Sequence, residues 1–246
     1  MQRIFVYTSS LILCLFVSMA QAQKTIKAPE IIKAPFFNGI TVQADAASVA
    51  TSLLSNGETY SYEASAQADF RHKLFPVIEI GYAGANKLTT DNIGFKTNGL
   101  FERIGLDINM ISQKKDSKPT TSLFLLGIRL GMTNFNYDIS NVTVTDEYWG
   151  GTQSVPYNNV STTKFWYELT AGIRVEVIKD IYMGWTVRKK KLLNKDATGN
   201  VTPWYIPGFG ISDNSLGFNY TIGYKFHFPV KKKPLNKETK AEIQKK

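Results

Sequence analysis

Between Asn38 and Pro229 apolar side chains recur at every second residue, and no stretch shows the spacing of a helix face. The clearest run is Phe165, Tyr167, Leu169, Ala171, Ile173, Val175 and Val177, interleaved with Trp166, Glu168, Thr170, Gly172, Arg174 and Glu176. Successive side chains of a strand point to opposite faces, so this pattern predicts a strand with one apolar and one polar side. The same alternation recurs in segments 40–46, 60–70, 78–82, 103–110, 124–133, 181–188 and 219–228, which makes eight strands.

The polar faces do not read as ordinary solvent surface. They are rich in glycine (Gly81, Gly105, Gly127, Gly131, Gly172, Gly184, Gly223) and they balance acids against bases. Asp45, Glu63, Asp69, Glu79, Asp107, Glu168 and Glu176 stand against Arg103, Arg129, Arg174, Arg188 and Lys225. Arginine prevails over lysine in that set, which suits close, forked pairing with carboxylates in a confined space. The apolar faces carry aromatic residues near the strand ends, as membrane-interface girdles do. These features predict an all-β chain: an eight-stranded, antiparallel, transmembrane up-and-down β-barrel. Its oily faces turn outwards, and a charged network plugs the lumen.

The connections point the same way. The links after strands two, four and six are short (71–74, 112–120 and 179–180), and those after the odd strands are longer, the last two running over about 138–162 and 193–214. Short turns at one end and long loops at the other are how outer-membrane barrels are built. An even strand number then puts both termini in the periplasm. A soluble sandwich or lipocalin-like barrel is the alternative, but it has no reason to sort its loops by parity. The segment Thr221-Ile222-Gly223-Tyr224-Lys225-Phe226-His227-Phe228 also resembles the β-signal read by the barrel-insertion machinery, although a basic tail follows it here.

The ends of the chain have their own composition. Residues 1–22 carry one base (Arg3), an apolar stretch from Leu11 to Val17 and the small-x-small sequence Ala20-Gln21-Ala22, the pattern of a secretory signal peptide. Cys14, the chain's one cysteine, falls inside that leader. Residues 23–37 repeat Ile-Lys-Ala-Pro at 26–29 and 32–35 and read as an extended periplasmic arm. Residues 38–229 are the barrel, and 230–246 are a basic periplasmic tail. Of the formal charge of +9, the tail holds +5 (seven Lys, two Glu) and 23–37 hold +2, so the barrel is nearly neutral. A secreted chain whose positive charge sits in two solvated arms is not a nucleic-acid binder. Two His and one Cys leave no ligand set for a metal and no disulfide framework, and no cofactor is expected.

The strings Tyr148-Trp149-Gly150-Gly151, Tyr182-Met183-Gly184-Trp185, Pro203-Trp204-Tyr205-Ile206-Pro207-Gly208-Phe209-Gly210 and Phe75-Pro76-Val77-Ile78-Glu79-Ile80-Gly81-Tyr82 resemble an uncharacterised family of outer-membrane barrel proteins from Bacteroidetes-type, Gram-negative bacteria. The similarity spans most of 39–228. It implies the fold and the outer-membrane location, and it implies no activity.

Candidate chemistry is sparse. An eight-stranded barrel is just wide enough for side chains to fill it, which disfavours an open channel. His72 and His227 fall at the periplasmic end, away from the outer rim where a lipid hydrolase or acyltransferase would need its base. Tyr148, Trp149, Tyr157, Trp204, Tyr205 and Phe209 lie in or beside the long loops. They could anchor a partner or stack on a glycan, or fold the loops over the barrel mouth. Lys189 and Lys191 are expected to face lipid headgroups. The expected partners are outer-membrane lipid and an outer-membrane or periplasmic protein. The expected role is structural or accessory, with a lipid-modifying enzyme or a narrow solute channel as alternatives.

Overall fold

A computed structural model describes residues 36–111, 122–145, 148, 150–194, 202–212 and 216–228. The signal peptide (1–22), most of the proposed arm (23–35) and the basic tail (230–246) lie outside the described residues. All that is described belongs to one compact unit.

Eight strands close into an antiparallel barrel: β1 (Ile40–Asp45), β2 (Thr59–Ala68), β3 (Leu74–Leu88), β4 (Gly94–Asn109), β5 (Leu123–Ser140), β6 (Tyr157–Ile178), β7 (Ile181–Leu192) and β8 (Leu216–Phe226). Each pairs with its sequence neighbours, and β8 closes the ring on β1. Stepping across paired residues from Phe165 through Met132, Glu102, Ile80, Ala64, Ala44, Ile222 and Met183 returns to β6 at Val175. The stagger over one circuit is therefore ten residues. That shear tilts the strands and sets a bore that side chains can fill.

The two faces of the wall are inverted relative to a water-soluble barrel. Ile78, Ile80, Ile104, Ile128, Leu130, Leu169, Ile173, Val187 and Ile222 are exposed on the outside. Thr41, Gln67, Asp107, Arg129, Glu168 and Arg174 are buried within. The sequence alternation thus runs through every strand with its oily side out. Aromatic residues mark both ends of the outer wall. Tyr60 lies 6.0 Å from Tyr82, and Trp185 lies 6.0 Å from Tyr220. At the other end Phe36, Phe37, Phe70 and Phe228 cluster below the start of β1.

Two features depart from the sequence reading. First, a helix, α1 (Ala46–Leu54), follows β1 directly, where none was expected. Asp45 ends the strand and caps the helix, its Oδ1 accepting from the Ala47 amide at 3.0 Å. The helix packs against β2 and β8 and stands where the upper half of β1 would be. Its serines serve the open edge of β2: Ser52 Oγ accepts from the Ser61 amide (2.9 Å), and Ser55 Oγ donates to the Thr59 carbonyl (2.6 Å). Its Val49, Leu53 and Leu54 face outwards, so the helix is inverted in the same sense as the strands. Second, the link between β3 and β4 is short (89–93) rather than long, because both strands run well beyond the apolar belt. The 141–156 link carries a ribbon of Thr143–Thr145 paired with Thr152–Ser154.

Candidate functional site

The middle of the lumen is a layer of ion pairs contributed by β2 to β7. Glu79 on β3 is its hub. It accepts from Arg103 Nε at 2.7 Å, Arg129 Nε at 3.0 Å, and Arg188 Nη1 and Nη2 at 2.8 and 3.2 Å. Glu168 accepts from Arg103 Nη1 (3.2 Å), Arg188 Nη1 (2.9 Å) and the Trp166 indole (2.7 Å). Arg129 grips both oxygens of Asp107 at 2.8 Å, and Gln67 donates to Asp107 as well at 2.6 Å. Glu63 joins Arg103 to Arg188. These side chains are almost wholly buried, so each charge depends on its partners for the solvation it has lost. Glycine makes the room: a side chain at Gly127 would collide with Asp107 and Thr170.

The remaining lumen residues are spread over other tasks. Asp45, besides capping α1, accepts from Asn219 Nδ2 (2.5 Å) and the Tyr220 amide (3.1 Å), and Asn219 in turn accepts from Arg188 Nε (2.6 Å). That chain ties the base of the helix to the ion-pair layer. Asp69 and Lys225 form a separate pair at the short-turn end (2.7 Å), with His72 Nδ1 also 2.7 Å from Asp69. Burial alone would raise the Asp69 carboxyl, but hydrogen bonds and charge from His72 and Lys225 outweigh it and hold it at about 2. Glu176 stands apart from the network. It accepts from the Asp180 amide (2.9 Å) and closes the two-residue turn after β6, where Asp180 has a φ of 66°. Arg174 is buried below the layer and makes no ion pair among the described residues.

Above the layer the barrel mouth is filled from the 193–215 link. Tyr205, Ile206 and Phe209 turn inwards and pack with Ala83, Phe95, Phe101, Phe135, Tyr137 and Trp166. Phe209 meets Trp166 edge-on at 6.0 Å. Gly208, with a φ of 80°, lies flat against the Phe101 ring, where a side chain would not fit, and its carbonyl accepts from Arg103 Nη1 at 3.2 Å. Lys190 donates to the Phe209 carbonyl and lies over that ring. Burial pushes the Tyr205 hydroxyl up to about 12, so it is neutral throughout the physiological range.

Of the six loop aromatics, then, Tyr205 and Phe209 face the lumen and are not presented to a partner. They bury more apolar area there than a loop surface could offer them. Trp204 is half-buried against Phe95, Tyr157 is half-buried at the start of β6, and Tyr148 is 86% exposed. Trp149 lies outside the described residues. Lys189 and Lys191 are exposed on the outer wall of β7. Sequence reasoning passed over Trp166, Gln67, Asn219 and Lys190. All four occupy the inward alternation of their strands, and that parity was the available signal.

His72 and His227 sit near Asp69 and Asp180, at the end of the barrel away from the mouth. Among the described residues no group of three His, Cys, Asp or Glu is placed to hold a metal ion, and no helix is long and apolar enough to cross a membrane.

Residues 1–233 match the family described as a domain of unknown function, DUF6048. No curated protein matches the sequence. Among solved structures, the chain is similar to the N-terminal β-barrel domain of Pseudomonas aeruginosa OprF, at 9% identity and a TM-score of 0.38, covering 77% of this chain and 98% of that one. It is also similar to Neisserial surface protein A, NspA, at 13% identity and a TM-score of 0.37, covering 78% and 96%.

Proposed function

Since this chain belongs to the DUF6048 family, whose description assigns no activity, we infer its role from the barrel itself: an outer-membrane barrel with a plugged lumen that serves as a structural or accessory subunit of an outer-membrane complex. The observation that carries the membrane placement is the inverted burial. In water, Ile104 at 63% exposure and Trp185 at 62% would leave a continuous apolar belt without cover, while Glu168 at 0% would have been buried for nothing. In hydrocarbon both choices stabilise the barrel. On β5 the outward apolar run from Phe124 to Met132 spans nine residues, the length of a tilted strand crossing a bilayer. Both described ends, at Phe36 and Phe228, lie at the short-turn end, which is periplasmic in this reading.

The filled mouth and the self-satisfied ion-pair layer favour an interaction role over conduction. The paired imidazoles at the far end of the barrel favour it over lipid chemistry. Contacts with a partner then fall to the exposed loop around Tyr148 and to the terminal arms. Two measurements test the proposal. Extracted gently, the protein should migrate faster unboiled than boiled, and should co-purify with a stoichiometric protein partner from native membranes. Equal migration would overturn the membrane barrel. A partner-free monomer, or unitary conductance in planar bilayers, would overturn the accessory role.

A further inference from the structure

The outer wall carries a charge that the chain leaves without a partner. Glu102 on β4 is exposed on the outside of the barrel. Its outward neighbours on the same strand are Leu100 and Ile104, and across the ladder it faces Ile80 and Met132, all four apolar and exposed. Register sets it one outward position below the girdle residue Tyr82, which pairs with Leu100. Among the described residues no ion pair or hydrogen bond reaches its side chain, and no other charged side chain faces outwards between the two aromatic girdles. Lys96, the nearest outward base on its strand, is six residues away, about 20 Å along β4 and out of reach. Around Glu102 the wall forms a broad apolar groove of about 650 Å³, lined by the small Ala64 and Ala66 on β2 and by the larger Ile78, Ile104, Leu130 and Phe165.

We propose that this groove is a lateral docking face for a transmembrane protein partner that presents a lysine or arginine to Glu102. The contact presupposes the membrane barrel and accessory role proposed above, and adds a face within the bilayer to the Tyr148 loop and the terminal arms. Hydrocarbon covers Ile104 and Leu130 well, but it has no donor for a carboxylate, and ionisable groups at such depth are found paired. Lipid amines lie at headgroup level, where the tyrosine girdle sits, whereas Glu102 lies on the hydrocarbon side of it. A basic side chain on a neighbouring protein wall delivers its charge at the depth required. Small residues such as Ala64 and Ala66 let a second backbone approach closely, which is how interfaces within membranes gain their packing. Enclosed in the groove, the pair would be shielded from water and salt, so removing either charge should weaken the contact strongly.

The test uses the full chain in native membranes. A benzophenone amino acid in place of Met132 should, on irradiation, give an adduct with one other membrane protein, through a wall segment of that protein that carries a lysine or arginine. The same probe in place of Trp185, outside the groove, should give no such adduct. Glu102→Gln should lower both the adduct and the co-purified partner about tenfold or more. Glu102→Lys combined with an acid at the partner's cation should restore both. In lipid vesicles without the partner, Glu102→Gln should fold at least as readily as the parent, since nothing there supports the carboxylate. Adducts with lipid alone, or with a second copy of this chain, would overturn the proposal. So would an undiminished partner yield in Glu102→Gln, or a failure of that variant to fold in vesicles, which would mark a structural role. Those results leave the accessory role standing, whereas the absence of any stoichiometric partner removes that role and this docking face together.

Discussion

Glu79 and Asp69 show how differently two buried carboxylates of one barrel are maintained. Glu79 is surrounded by three guanidiniums. Asp69 lies in the turn after β2. Its charged partners are one ammonium and one imidazole, and it also accepts from the His72 amide at 2.9 Å. Its carboxyl is held at about 2, below the ordinary 3.8, so folding favours its ionised form. The stabilisation is therefore complete above about pH 4 and disappears as pH falls through about 2, where the folded and unfolded chains both hold the proton. Asp69→Asn should lower stability by about 2 kcal/mol at neutral pH. Below pH 4 the variant and the parent should converge. Urea unfolding in detergent between pH 2 and 7 measures this, and parallel curves for the two proteins across that range would contradict it.

Elements, unlike residues, were read unevenly from the sequence, and α1 shows why. Ala44 and Ala46 continue the period-two pattern of β1, so alternation alone carries the strand past its true end. Asp45 is the stop, because a side chain that accepts from the Ala47 amide and from Asn219 fixes a cap that a strand cannot continue through. That partner on β8 is 174 residues away, so nothing local announces it. The mouth-filling segment was legible in part. Pro203, Pro207 and Gly208 signal a fixed turn, but the sequence does not say whether its aromatics face out or in. The Trp166 ring waiting on the inward face of β6 decides that question. Phe209→Ala should therefore cost about 3–5 kcal/mol of local packing and expose the 202–212 segment to protease, with the ion-pair layer and the unboiled migration intact. Conductance appearing in this variant would show that the loop, and not the charged layer, blocks the lumen.

The whole molecule is a statement about solvent. The belt between the two sets of aromatics offers hydrocarbon-like surface around the entire circumference, interrupted at Glu102, which register places level with Met132 at the upper end of the β5 run. Above it the same outward face turns polar, with Asn134 bonded to Thr163 and Asn136 to Asn159, each at 2.8 Å. One wall therefore passes from lipid-facing to water-facing within a single strand, and the two zones should respond oppositely to charge. Ile128 sits in the middle of the apolar run and Asn136 two outward positions beyond its end. In a bilayer Ile128→Arg should cost about 2–4 kcal/mol, since a guanidinium at that depth has neither water nor partner, while Asn136→Arg should cost about 0–1. Folding titrations into lipid vesicles measure both. In a water-soluble barrel the order would be lost, because an exposed isoleucine can become arginine at no expense. Equal stability of the two variants would thus remove the membrane from the account while leaving the barrel and its ion pairs in place.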